Sequence, residues 1–282
     1  MNPQWLAVRA GGARGGVEFR QSLTNAQDLW NQLFFPIVAV VVMFFLRGST
    51  VPGTNFSIGS MAIPSMLGMT VAFNGLLGVA TMLTVEREDG TLLRAKAIPN
   101  GMLGYLVSKV VTVSGQTVFG LVIILIPGLL LFHGLAVTAG SLVILVGVSV
   151  LGLIATLPIG AIIGSMLSSP RNLGLAMLPI MGLVAISGIF YPITAMPDWL
   201  QAVAQVFPIY WLALGMRSAL LPENMVAVEI GESWRHLEMI GVLGVWAVIG
   251  YFVAPIVLRR MARRESGSSV AARREKAMQR IT

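Results

Sequence analysis

A chain of 282 residues that is 56% hydrophobic, only 11% charged and has a mean hydropathy of +0.82 carries less than half the charge of an ordinary soluble domain. This excludes a soluble globular class and identifies an integral membrane protein. The net charge of +7 is no argument for nucleic acid, because eight of the 19 basic residues lie beyond Leu258, where an anionic membrane surface accounts for them.

In chain order, residues 1–28 lack the apolar core of a signal peptide, since Arg9, Arg14, Glu18 and Arg20 interrupt it and glycines crowd positions 11–16. From Val17, Phe19, Leu23, Ala26 and Trp30 recur at helical spacing opposite Arg20, Gln21, Asn25 and Asp28. That pattern suits a helix lying in the membrane interface, or the solvated approach to a first span. Residues 29–46 are free of charge and just long enough to cross, and 61–85 form a second span.

The stretch EREDGTLLRAKAIP, 86–99, sets six charged residues between apolar segments. Read as a helix, these charges meet no opposite partner three or four residues away, so the sequence leaves them free to face another molecule or water. Gly90 loosens the helix and Pro99 ends it.

Further spans follow at 110–132, 135–167 with Pro158 as a kink, 173–191 and 239–258. Between the last two, prolines at 192, 197 and 208 punctuate apolar pieces too short to cross, which reads as re-entrant or interfacial, with Trp199, Tyr210 and Trp211 suited to the headgroup level. The expected fold is therefore all-α and integral to the membrane: six transmembrane helices, an N-terminal interfacial helix and an extracellular re-entrant segment between spans five and six. Of the 19 lysines and arginines, all but Arg47, Arg217 and Arg235 fall on the side that carries both termini and the Glu86 stretch, which places that side in the cytoplasm.

Chemistry inside these six spans is sparse. They contain no aspartate, glutamate, lysine or arginine, which disfavours an ion-coupled carrier, and His133, with no nearby acid, makes a poor catalyst. With no cysteine and with His133 and His236 far apart, no metal cluster is suggested. Asn74 and Gln116, with the hydroxyls of Thr70, Thr81, Thr112 and Ser114, either join helices or line a substrate path. Gly160 and Gly164 form a GxxxG pair.

Six spans, an interfacial helix before the first, VEREDGTLLRAKAIP after span two and FYPITAMPDWLQAVAQVFPIYWL after span five together resemble the permease subunits of the ABC-2 type transporter family over residues 17–258. The resemblance implies one domain over 1–282: a cytoplasmic 1–28, a six-span core at 29–258 and a basic cytoplasmic tail at 259–282. It implies that the Glu86 stretch is the coupling helix on which an ATP-binding subunit docks. Glu86, Arg87, Gly90 and Leu92 match the family's pattern there. Glu88 adds a charged contact and Leu93 an apolar one. Pro192, Pro197, Trp199, Phe207 and Pro208 are similar to the family's extracellular re-entrant helices, and so are candidates for an outer gate.

No Gly-Lys pair of a phosphate-binding loop exists, because Lys96, Lys109 and Lys276 follow Ala95, Ser108 and Glu275. ATP and magnesium are thus expected on a partner ATPase and no cofactor in this chain. The partners implied are two ATPase copies, a second permease copy and membrane lipids, with no nucleic acid. The location implied is the bacterial cytoplasmic membrane, and the activity is export of drugs, lipids or glycans, with drug-like or lipidic cargo first. The rival readings are an ion-coupled secondary transporter and a membrane assembly subunit that transports nothing.

Overall fold

In hydrocarbon every backbone donor and acceptor must be satisfied within the protein, which leaves an apolar chain of this kind with helices. The computed structural model describes residues 2–45, 48–49, 58–132, 134–135, 137–167 and 169–264, and these contain helices and no strand. The expectations for His133, Arg47 and the tail beyond Arg264 lie outside the described residues.

Helix α1 (Pro3–Thr24) is started by Asn2, whose side chain accepts from the Gln4 amide. It ends at Asn25, whose extended backbone and amide-capping side chain turn the chain into α2 (Ala26–Phe45). Helix α3 (Ile58–Phe73) passes through a π-helical turn at Asn74–Gly78 into α4 (Val79–Glu88), forming one rod of 31 residues. After Gly90, whose φ of +80° suits only glycine well, come the short α5 (Thr91–Lys96) and the long α6 (Gly101–Leu131) and α7 (Ala139–Met166). The chain closes with α8 (Leu173–Ala185), α9 (Asp198–Val206), α10 (Pro208–Leu220) and α11 (His236–Arg264).

Five of these are long and apolar enough to cross a membrane: Ala26–Phe45, Ile58–Glu88, Gly101–Leu131, Ala139–Met166 and His236–Met261. The fifth expected span, 173–191, is helical only to Ala185, and 13 residues rise about 20 Å, short of a core about 30 Å thick. Helices α9 and α10 meet at 90°, and counted as one broken span they would make a sixth. The bend has local causes. Phe207 is extended, Pro208 occupies the first turn of α10, and the indole N–H groups of Trp211 and Trp246 donate to the Gln205 and Val206 carbonyls that the end of α9 leaves open.

Helix α10 is the buried centre of one end, packed against α3 and α7 with every residue but Ser218 buried. Tyr210 and Trp211 are therefore core residues and not headgroup anchors, whereas Trp199 on α9 is 66% exposed. Close backbone approach makes this packing possible. A Cβ on Gly68 would fall 2.6 Å from the Ala213 nitrogen, and one on Gly164 2.8 Å from the Ala80 Cα, so the Gly160/Gly164 pair does seat α7 against the rod. At the opposite end α1 lies on α6 by the same device, since a Cβ on Gly15 would meet the Ser108 carbonyl oxygen at 2.6 Å.

Arg217, which the charge count puts on the outer side, is buried, and so is Glu229. The guanidinium donates to the two carboxylate oxygens at 2.6 and 3.1 Å, to Ser65 Oγ at 2.9 Å and to the Gly188 carbonyl at 3.3 Å. Glu229→Ala should strand that cation and lower unfolding stability by about 3–5 kcal/mol, whereas the pair Arg217→Met with Glu229→Leu should recover most of the loss. Thermal unfolding of detergent-purified protein reads both, and an unshifted melting temperature for Glu229→Ala would contradict the assignment.

Candidate functional site

Helix α2 rests on α6 and, more lightly, on α3, with Met43 its one buried residue. The space between them is a cleft of about 900 Å³. Asn74, in the π-helical turn, and Gln116 on α6 both line it, as do Thr70, Thr81 and Thr112; Ser114 does not. Neither Asn74 nor Gln116 joins helices by a hydrogen bond among the described residues, and the Thr70 hydroxyl bonds back to the Met66 carbonyl of its own helix. The two amides are thus cleft-lining groups. A π-bulge widens a helix locally and is common at functional sites, and here it turns Asn74 and Gly78 to the opening.

The cleft has two unlike ends. Toward the end of α2 and the second half of α3 its wall is Val42, Met43, Met66, Met69 and, from the segment after α8, Phe190. Where α1, α4 and the start of α6 converge, it is polar and charged. Lys109 Nζ, 8% exposed, lies 2.7 Å from Glu18 Oε2 and 2.5 Å from Glu86 Oε1, joining three helices through one ammonium. Arg14 extends the group, with Nε 2.7 Å from Glu18 Oε1 and Nη2 3.9 Å from Glu86. Burial works against the Glu18 carboxylate, yet hydrogen bonds from Lys109 and Arg14 outweigh it and hold its carboxyl below the ordinary range, so it is ionised at neutral pH.

This geometry corrects the view of the Glu86 stretch as a run of free charges. Glu86 faces inward to Lys109, and the Arg87 guanidinium donates to the Leu167 and Ser165 carbonyls at 2.7 and 3.3 Å, where the end of α7 leaves carbonyls to be met. The partners lie on other helices, which a search along one helix cannot find. Asp89 caps α5 by accepting from the Thr91 amide at 2.7 Å, and Glu88 and Leu93 are half-buried. Leu92, 2% exposed, and Ala95 are the inward face that holds α5 to the bundle. The outward face carries Arg94, Lys96 and Ile98, the last 61% exposed.

The outer-gate candidates are dispersed rather than gathered at the cleft. Pro192 precedes a 3₁₀ turn at Ile193–Ala195, Pro197 precedes α9, Phe207 stacks on Trp246 with centroids 5.9 Å apart, and Pro208 is buried at the start of α10. None of these lines the cleft; Phe190 does, and sequence reading passed over it. Glu18 and Gln32 were also missed as site residues. The signal that could have found Glu18 is the Gly11/Gly15 spacing, matched by Gly104 and Ser108 on α6, which fixes the register that brings Glu18 to Lys109.

The sequence model of a family described as "ABC-2 family transporter protein" matches residues 48–257. No curated protein matches the chain at a significant level.

Lys109→Met removes the shared ammonium and leaves two part-buried carboxylates facing each other, so it should destabilise the folded chain by about 3–5 kcal/mol. Arg14→Ala, at a 43% exposed side chain, should cost no more than about 1 kcal/mol. Unfolding of the two variants side by side gives the ranking, and equal losses would show that Lys109 does not hold the junction.

Proposed function

The chain belongs to the ABC-2 family of transporter proteins, and from that premise we propose that it is the permease subunit of an ATP-binding cassette exporter, forming the substrate path and driven by a separate ATPase. Two permease copies pair with two ATPase copies in the bacterial cytoplasmic membrane, with ATP and magnesium held by the ATPases. In this arrangement α1 lies in the inner interface, α8 and the residues to Tyr191 complete the fifth crossing, and α9 and α10 enter and leave the outer leaflet as the re-entrant pair. Both termini and the Glu86 stretch face the cytoplasm. The cargo is drug-like or lipidic, as the methionine and aromatic walls of the cleft suggest.

The observation that carries this reading is the position of α5. It is a separate short helix, seated by Leu92 and Ala95, with Arg94, Lys96 and Ile98 turned outward. It follows Glu86, which both grips Lys109 and lines the cleft. A push on α5 from an ATPase would therefore act on the α4–α6 wall of the substrate path. On this reading the family's pattern divides by task. Glu86, Arg87, Gly90 and Leu92 fasten the stretch to its own chain, while Glu88, Leu93 and the exposed Arg94, Lys96 and Ile98 meet the partner.

The test follows from that division. Arg94→Glu with Ile98→Asp alters only exposed side chains, so the melting temperature of the isolated chain should stay within about 2 °C while retained ATPase and substrate-stimulated hydrolysis fall roughly tenfold or more. Glu86→Ala should lower stability and coupling together, because it also releases Lys109. Near-normal flux in the doubly substituted complex, with the ATPase still bound, would return the stretch to an ordinary solvated connection.

A further inference from the structure

The cleft is amphipathic along its length, and its charged end is not neutral. Three carboxylates line it, those of Glu18, Asp28 and Glu86, against one ammonium, Lys109. Arg14 reaches Glu18 and Glu86 from outside the lining, and even with it counted one carboxylate remains in excess. Asp28, in the first turn of α2, is exposed and forms no ion pair among the described residues. At this end Gln32 Oε1 is buried without a donor among the described residues, and Glu86 Oε2 is buried beside the Tyr105 hydroxyl. A buried acceptor left unpaired costs free energy that a donor group on a ligand would recover.

From Lys109 to Ile124, both in the lining, α6 rises about 22 Å, which is room for a bulky or chain-like apolar body beyond a polar head. We propose that the cleft selects amphiphiles with a positively charged head, the head lying among Asp28, Gln32 and Glu86 and the apolar body against Met43, Met66 and Met69. A cation is drawn by the excess carboxylate, and methionine walls adapt to varied apolar shapes. An anionic head of equal size would meet the same carboxylates as repulsion. This rests on the transporter reading, because a cleft of this kind is a substrate site only in a protein that moves its ligand.

Gly78 provides the control. It lines the cleft, and a Cβ built on it meets nothing within 4 Å, so Gly78→Leu grows into the cleft without displacing backbone. Binding specific to the cleft is then the difference between the unsubstituted chain and Gly78→Leu, each in nanodiscs of zwitterionic lipid. Tetraphenylphosphonium and tetraphenylborate, nearly identical in shape and opposite in charge, are the probes. The phosphonium should show saturable cleft-specific binding, weakened at least fivefold by Asp28→Asn with Gln32→Leu, and the borate should show none. Equal or tighter cleft-specific binding of the borate, no cleft-specific binding of the phosphonium, or phosphonium binding insensitive to that double substitution would each overturn the assignment. If the assembled complex moves another compound while the phosphonium does not bind, this inference alone fails. If the phosphonium binds but no ATPase joins the chain, the exporter reading fails instead.

Discussion

The buried pair of Arg217 and Glu229 is the constraint on which the α10 end of this protein depends. Placing a guanidinium and a carboxylate out of water is expensive, and attraction repays it only when the remaining donors are also met. Here they are met by Ser65 on α3 and by the Gly188 carbonyl, so one ion pair ties together α10, the segment before α11, the α3 rod and the end of α8. Gly188, with φ +68°, supplies its carbonyl from a left-handed turn in the segment where helix has already ended, three residues beyond Ala185. Helix α10 is folded inward around the same point and its burial encloses the arginine, while α9 keeps only Ala204 buried.

The other end is fastened by different means. There, glycine and serine allow α1 and α6 to approach until backbone nearly touches backbone, and the single ammonium of Lys109 then closes on carboxylates from α1 and α4. Small-residue contact sets the distance and the register, and the ion pairs then lock it. Because α2 follows α1 after only one intervening residue, the same register fixes where α2 begins and hence the width of the cleft it borders. Glu86, on α4 five residues before Thr91 of α5, both lines the cleft and holds Lys109.

Much of this was legible in the chain. The charge-free runs located the long helices but not always their ends: α6 starts at Gly101 rather than 110 and α11 runs on to Arg264, because helix continues past the apolar run into charged residues. The prolines at 197 and 208 marked the starts of α9 and α10, and the Gly160/Gly164 spacing identified a real close approach. Asn74 and Gln116 stood out as polar groups in apolar helices, and both line the cleft. By contrast, α1 was expected from Val17 and begins at Pro3, because Gly11 and Gly15, poor helix formers taken alone, are stabilised by the α6 surface they contact.

What the sequence by itself determined is the class: helices in a membrane, an isolated charged junction at 86–99, a proline-punctuated segment before the last helix, and the family. Those features are local or compositional, and local periodicity or hydropathy reports them. Only the tertiary structure decided the partners of the charges. Glu18 with Lys109 is 91 residues apart, Arg87 with Leu167 80, and Arg217 with Ser65 152, and no spacing rule within a helix reaches so far. It also decided that Leu92 faces inward and Ile98 outward, and that Tyr210 and Trp211 are core. Burial is set by which other helix arrives, and that depends on the whole chain at once.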